Sequence, residues 1–253
     1  MVWFKRRSRV IKLSVPTRPR VPDGQVVYAV GDVHGRADLL LRLRGAIARD
    51  LERHPSALAT TVFLGDYVDR GPSSREVLEL LSASDFPTPI VPLMGNHETM
   101  VLSFLQEASV LQRWRAVGGL ETLFSYGVDV REAMTGRGYD EAQQAFQAVF
   151  PDMHHAFILD LRLSVEVGDY FFCHAGVRPG VALAEQSPND LIWIRDEFLT
   201  SEVDHGRMIV HGHTPVSEPE FKPNRINLDS GAYVTGRLTC LRLEGDQQSI
   251  LPL

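Results

Sequence analysis

The chain has 253 residues, 44% of them hydrophobic and 23% charged, with a formal net charge of −6. That suits one globular domain with a full core, and no apolar run approaches the ~20 residues of a membrane helix. The two cysteines, Cys173 and Cys240, lie in apolar runs. They make neither a disulfide framework nor a zinc cluster and read as buried thiols of a reducing, cytoplasmic compartment.

The charge is uneven. Residues 1–20 hold seven basic residues and no acid, leaving 19 basic against 32 acidic residues beyond them, a balance of −13. A nucleic-acid-binding body is excluded on that balance. The basic segment lacks the apolar core of a signal peptide. It reads as a disordered tail over residues 1–22, ahead of one domain over 23–253. A second reading lets Met1-Val2-Trp3-Phe4, before Lys5-Arg6-Arg7, touch an anionic membrane surface.

In chain order, Gln25–Val30 reads as a strand running into Gly31-Asp32-Val33-His34-Gly35. Asp32 and His34 are two apart, so on extended chain they point the same way. Leu40, Leu43, Ile47 and Leu51 recur at helical spacing, with Asp38 near the start. Thr61-Val62-Phe63-Leu64 is a short buried strand delivering Gly65-Asp66-Tyr67-Val68-Asp69-Arg70-Gly71. Ser73 and Glu76 have the spacing of a capping box for a helix through Val77, Leu78 and Leu81. Pro89–Met94 is a third strand, ending at Gly95-Asn96-His97-Glu98, where a helix begins.

Residues 99–150 read as a helical insertion beside the site, with glycine turns and no strand followed by a ligand. Strands resume at Leu161–Val167 and Tyr170–Cys173, the latter leading into His174-Ala175-Gly176. A loop carries Trp193-Ile194-Arg195, and Met208-Ile209-Val210 leads into His211-Gly212-His213-Thr214. Arg225–Asp229 and Leu238–Leu243 read as a closing hairpin around Ser230-Gly231.

One charged turn would be an ordinary solvated face. Here an apolar run ends five times on a hard donor: Asp32 with His34, Asp66, Asn96, His174 and His213. If they converge, carboxylates, an amide and imidazoles without thiolate suit Mn²⁺, Fe or Zn²⁺ rather than a purely structural zinc. The donors exceed the needs of one tetrahedral ion, and a shared carboxylate can bridge two.

Taken in order, these five motifs resemble the signatures of the phosphoprotein phosphatase family of calcineurin-like metallophosphoesterases. Trp193-Ile194-Arg195 and the Gly-His-Thr ending are similar to its bacterial and phage branch, which includes symmetrical diadenosine tetraphosphatases. The resemblance implies an α/β fold, a central two-sheet β-sandwich flanked by helices. It implies two divalent metal ions, Mn²⁺ ahead of Fe or Zn, the first on Asp32, His34 and Asp66. The second would be on Asp66, Asn96, His174 and His213, with Asp66 bridging. His97 would protonate the leaving group, oriented by Asp69, and Arg70 and Arg195 would grip the phosphoryl oxygens.

The implied reaction is hydrolysis of a phosphomonoester by a metal-bridging hydroxide. A phosphoserine, phosphothreonine or phosphotyrosine protein is the first substrate and a symmetrically cut dinucleoside polyphosphate the alternative. A non-catalytic metal-holding regulator is the reading of another class, and it would require a lost ligand or a lost His97. His211 reads as structural, His154 and His155 as surface or cap residues. Trp193, Trp114 and Phe124 read as core. Residues 99–150, with Trp114, Phe124, Tyr126, Arg113 and Arg115, are the segment placed to shape the pocket.

Overall fold

Alternate residues of the first strand face two different cores. Val26, Tyr28 and Val30 pack with the helices, whereas Val27 and Ala29 pack against a second sheet, as the two-residue period of extended chain requires. A parallel strand buried on both faces carries a nearly continuous apolar run. The computed structural model, which describes residues 18–55, 58–83 and 85–253, is built on that unit.

The first half of the chain runs β1 (Gln25–Val30), α1 (Ala37–Arg53), β2 (Leu58–Phe63), α2 (Ser74–Ser82), β3 (Ile90–Pro92) and α3 (Asn96–Gln106). A helical layer follows: α4 (Leu111–Trp114), α5 (Gly119–Ser125), α6 (Arg131–Met134), α7 (Tyr139–Val149) and α8 (Asp152–Leu159). The second half holds β4 (Ser164–Val167), β5 (Tyr170–Cys173), α9 (Pro188–Trp193), α10 (Asp196–Leu199), β6 (Met208–His211), β7 (Glu220–Phe221) and β8 (Arg225–Asn227). It closes with α11 (Ala232–Thr235), β9 (Cys240–Glu244) and β10 (Gln247–Ile250).

These strands form two five-stranded mixed sheets, ordered β10-β9-β1-β2-β3 and β4-β5-β6-β8-β7. Each contains a run of parallel strands: β1, β2 and the edge strand β3 in one, β5, β6 and β8 in the other. Val62, Leu64, Phe172, Val210, Leu228 and Leu241 fill the space between the sheets. Leu40, Leu43, Ile47, Val77 and Leu78 close the outer face of the first sheet, while Leu191 and Phe198 close that of the second over Phe171 and Ile209. The architecture is therefore an α/β sandwich flanked by helices, as the resemblance implies.

Several local expectations are corrected. The closing hairpin does not exist: β8 pairs with β6 and β7 in one sheet, β9 with β1 and β10 in the other. Ser230-Gly231 lies in the crossover between sheets, and the hairpin is β9–β10. Ser73 makes no side-chain cap and Glu76 is exposed, so that capping box is not formed. The neighbouring Ser74 is the buried hydroxyl, and it accepts the Asp69 N–H at 3.0 Å.

At the N-terminus, Val21 is fully buried and donates to the Gly245 carbonyl, and Tyr170 donates to the Pro19 carbonyl. Residues 19–22 thus belong to the domain rather than to a tail. Lys5 through Lys12, and the membrane-surface reading of Met1–Phe4, lie outside the described residues. Among the described residues, no helix is long and apolar enough to cross a membrane.

Candidate metal centre

Loops leaving the C-terminal ends of β1, β2, β3, β5, β6 and β8 carry the candidate residues, the end at which parallel sheets present ligands. His174 stands in the middle. Its Nδ1 bonds the Leu64 carbonyl at 2.9 Å, which fixes the ring and turns Nε2 inward. Around that Nε2 lie Asn96 Oδ1 at 3.0 Å, His213 Nδ1 at 3.1 Å and Asp66 Oδ1 at 3.4 Å.

The other oxygen of Asp66 belongs to a second group. Asp66 Oδ2 is 3.5 Å from His34 Nε2 and 3.8 Å from His97 Nε2. The His34 ring is fixed through its Nδ1, 2.8 Å from the Val68 carbonyl. Asp66 thus gives one oxygen to each group. Asp32 sits alongside, buried, accepting the His213 backbone N–H at 3.0 Å. It lies outside the two clusters whose donor atoms are within 4.8 Å of one another, His34–Asp66–His97 and Asp66–His174–His213.

Burial and the nearby charges of Asp229 and Asp66 raise the pKa of Asp32. Burial also opposes ionisation of Asp66, but His174 and His97 hold it well below the usual carboxylate range. Burial pushes His34 down to about 3, and burial together with His174 pushes His213 down to about 2. Both rings are therefore neutral donors at pH 7. His34 Nε2 is buried without a hydrogen-bond partner, a state that costs free energy unless something fills it. Neutral imidazoles, an amide and carboxylates facing one another, without thiolate, fit divalent cations. His211 stays out of both groups. It is buried, bonds the Gly212 carbonyl and packs on Phe198.

His97 is differently placed. Its Nδ1 is 2.5 Å from Asp69 Oδ2, and its Nε2 is 3.3 Å from an Arg70 guanidinium nitrogen. Burial opposes charge on His97, but Asp66 and Asp69 outweigh it and carry its pKa up to about 9. The ring can hold a proton beside the donor groups. Arg195 is exposed in the short link between α9 and α10, on the side of His213, whose pKa its charge helps to lower. Arg178 ties that region to the body through Asp190 and Glu197.

The backbone marks the same residues. Among the described residues, the non-glycine positions with positive φ are His34, Asp66, Asp69, Arg70 and His213, all of them candidate site residues. Such conformations cost free energy and persist only where surroundings impose them. Close approach adds a second constraint: a Cβ on Gly95 would stand 2.2 Å from Asp66 Oδ1, and one on Gly212 would stand 2.0 Å from Asp32 Oδ1. Only glycine lets these loops touch the carboxylates.

Three residues escape the sequence reading. Glu98 is fully buried and accepts N–H bonds from Asp66, Tyr67, Val68 and Gly95. Asp229 is buried near Asp32 with one oxygen lacking a partner; its signal was available, since Asp229-Ser230-Gly231 follows shortly after the strand at Arg225–Asn227. Tyr233 lies edge-on to His34 at 5.3 Å, with the Arg70 guanidinium 4.8 Å over its ring. Nothing local in the sequence points to it.

Other expectations change. Trp193 is 37% exposed with its ring 6.3 Å from that of His213, and Phe124 is 68% exposed, so neither is core. His154 is buried against Tyr126 rather than on the surface.

The calcineurin-like phosphoesterase family model matches residues 26–244. Among curated proteins, the chain is similar to the asymmetrical bis(5'-nucleosyl)-tetraphosphatase PrpE of Bacillus cereus (strain Q1), 28% identical over 238 residues, covering 84% of this chain and 88% of the relative. The corresponding protein of Halalkalibacterium halodurans is 27% identical with the same coverage. Among solved structures, one provisionally assigned as a diadenosine tetraphosphatase superposes with a TM-score of 0.62 at 20% identity, covering 90% of this chain and 93% of that one. A cold-active protein tyrosine phosphatase gives 0.60 at 18% identity, covering 96% and 89%. Spanning both sheets and every donor loop, the family match shows that this chain belongs to the calcineurin-like phosphoesterases.

Proposed function

We propose that the chain is a metal-dependent phosphoesterase that hydrolyses dinucleoside polyphosphates asymmetrically. The observation that carries the hydrolase reading is the division of Asp66, one oxygen toward Asn96, His174 and His213 and the other toward His34. We assign Asp66, Asn96, His174 and His213 to one divalent ion, and Asp66, His34 and the adjacent Asp32 to another. Bound there, such ions supply Lewis acidity and a water of lowered pKa. His97 delivers the proton held on its ring to the leaving oxygen, with Asp69 fixing its orientation. Arg70, beside His97, and Arg195, from the rim, meet the phosphate oxygens. A divalent ion in both places, Mn²⁺ first, matches the oxygen-rich donor set.

The choice of substrate is supported by the curated relatives, which align over most of their length and this chain's. The tyrosine phosphatase likeness is one of fold. A phosphoprotein therefore becomes the second reading, and symmetrical cleavage gives way to asymmetrical.

Diadenosine tetraphosphate and phosphoserine, phosphothreonine and phosphotyrosine peptides, each with Mn²⁺, separate these readings. Asymmetrical cleavage yields ATP and AMP, and two ADP would indicate symmetrical cleavage. Faster turnover of a phosphopeptide would replace the nucleotide reading. Asp66→Asn is expected to lower metal content at both places and remove nearly all turnover; two ions at normal affinity with normal rate would overturn the assignment.

A further inference from the structure

The helical layer reaches into the site through one carboxylate. Asp69 is fully buried, and its side chain meets three donors. Oδ2 accepts from His97 Nδ1 at 2.5 Å and from Trp114 Nε1 at 2.6 Å, and Oδ1 accepts from the Thr122 hydroxyl at 2.6 Å. The Thr122 oxygen in turn accepts the Asp69 backbone N–H at 2.8 Å. Thr122 therefore grips Asp69 at both ends, at a residue whose φ of 72° is in the left-handed region.

Neither Trp114 nor Thr122 can easily give way. Trp114 is fully buried, with ring centroids 5.2 Å from Phe104 and 6.3 Å from Phe146. A Cβ on Gly119 would stand 2.4 Å from the indole, so the ring lies flat on that glycine. Thr122 is fully buried and also reaches the Ser74 hydroxyl. The layer touches the neighbouring arginine as well, since the Arg70 N–H donates to the Gly118 carbonyl at 3.1 Å.

We propose that Trp114 and Thr122 are positioning residues that hold Asp69, and through it the His97 ring, in the one orientation that presents His97 Nε2 to the leaving oxygen. The inference rests on the phosphoesterase reading for its consequence, but not for its geometry. A carboxylate with a single donor can rotate about its χ2 bond; one held at both oxygens by groups on a packed helical layer cannot. The segment between the third and fourth ligand motifs then sets the rate of chemistry before it sets the choice of substrate.

Trp114→Phe and Thr122→Val each remove one donor; valine keeps the shape of threonine, and phenylalanine keeps an aromatic ring in the indole's place. Their combination is tested on p-nitrophenyl phosphate and phenyl phosphate with Mn²⁺, after near-ultraviolet circular dichroism has established native packing. A misdirected acid costs most where the leaving group needs its proton. The double variant is therefore expected to lose ~10–100-fold in kcat on phenyl phosphate, well under tenfold on p-nitrophenyl phosphate, with little change in KM. Thr122→Ser, which keeps the hydroxyl, is expected to restore what Thr122→Val loses. Equal losses on both esters, or none, would overturn the proposal.

A second measurement needs no turnover. In ¹⁵N-labelled metal-free protein, the Nδ1 proton of native His97 is expected to be held in a strong, exchange-protected hydrogen bond to Asp69, and the double variant to lose that protection. An unchanged His97 signal would overturn the inference. If the native protein cleaves no phosphoester yet the His97 signal changes, the functional reading fails while the positioning stands.

Discussion

Arg70 shows how much backbone strain the site carries. With φ at 67° it lies where side chains are disfavoured, held by its N–H to Gly118 and by Tyr233 beneath its guanidinium. Replacing it tests the strain separately from the charge. Arg70→Ala and Arg70→Gly both remove the guanidinium, but only glycine adopts this conformation at no steric cost. In urea denaturation, Arg70→Gly is expected to be more stable than Arg70→Ala by about 1 kcal/mol, with both losing activity alike. A glycine variant equal to or weaker than the alanine variant would show that position 70 is unstrained. The same logic covers Asp66, Asp69, His34 and His213, so the strained backbone positions all fall on residues assigned to the site.

At the scale of elements, α3 does more than follow β3. Glu98 lies in its first turn, and its carboxylate accepts backbone N–H groups of Asp66 at 3.0 Å, Tyr67 at 2.7 Å and Gly95 at 3.0 Å. One side chain thereby clamps the end of β2 to the start of α3, keeping Asp66 and Asn96 within reach of His174. Burial, aided by Asp66, raises its pKa to about 7, the cost of keeping a carboxylate so far from water. Glu98→Gln replaces one accepting oxygen with an amide that can only donate, aimed at donors. Unfolding free energy is expected to fall by about 3 kcal/mol. Metal affinity should fall with it, because the loops part. Unchanged stability in urea melts would remove Glu98 from this role.

For the whole molecule, the centre joins two sheets whose facing surfaces are packed largely with apolar side chains. Asp32, Asp66 and Asn96 follow strands of the first sheet, and His174 and His213 follow strands of the second. A cation held by both sets binds the folded chain and has no comparable site in the unfolded one. Mn²⁺ at a hundred times its dissociation constant should therefore add about 2.7 kcal/mol of stability. Calorimetry with Mn²⁺ and with a chelator is expected to show a higher Tm in the first, with the difference abolished in Asp66→Asn. A Tm insensitive to metal in the native protein would count against ion binding at this edge.

The sequence by itself determined the strand-then-donor units, because both ingredients are local. A short apolar run needs no distant partner to read as a buried strand, and the donors follow it directly, as with Val27–Val30 before Asp32 and Tyr170–Cys173 before His174. Their fixed order also carried the family resemblance. Tertiary structure alone decided what depends on residues distant in sequence. It separated β8 and β9 into different sheets, because pairing follows the neighbours each strand finds and not its chain order. It gave Glu98 its four backbone donors and brought Trp114 and Thr122 to Asp69 across 45 and 53 residues. Periodicity records which face of an element is buried, but not which buried polar atom it will meet. Trp114 looked like core and is core, and the single N–H that distinguishes it from phenylalanine finds its partner only after folding.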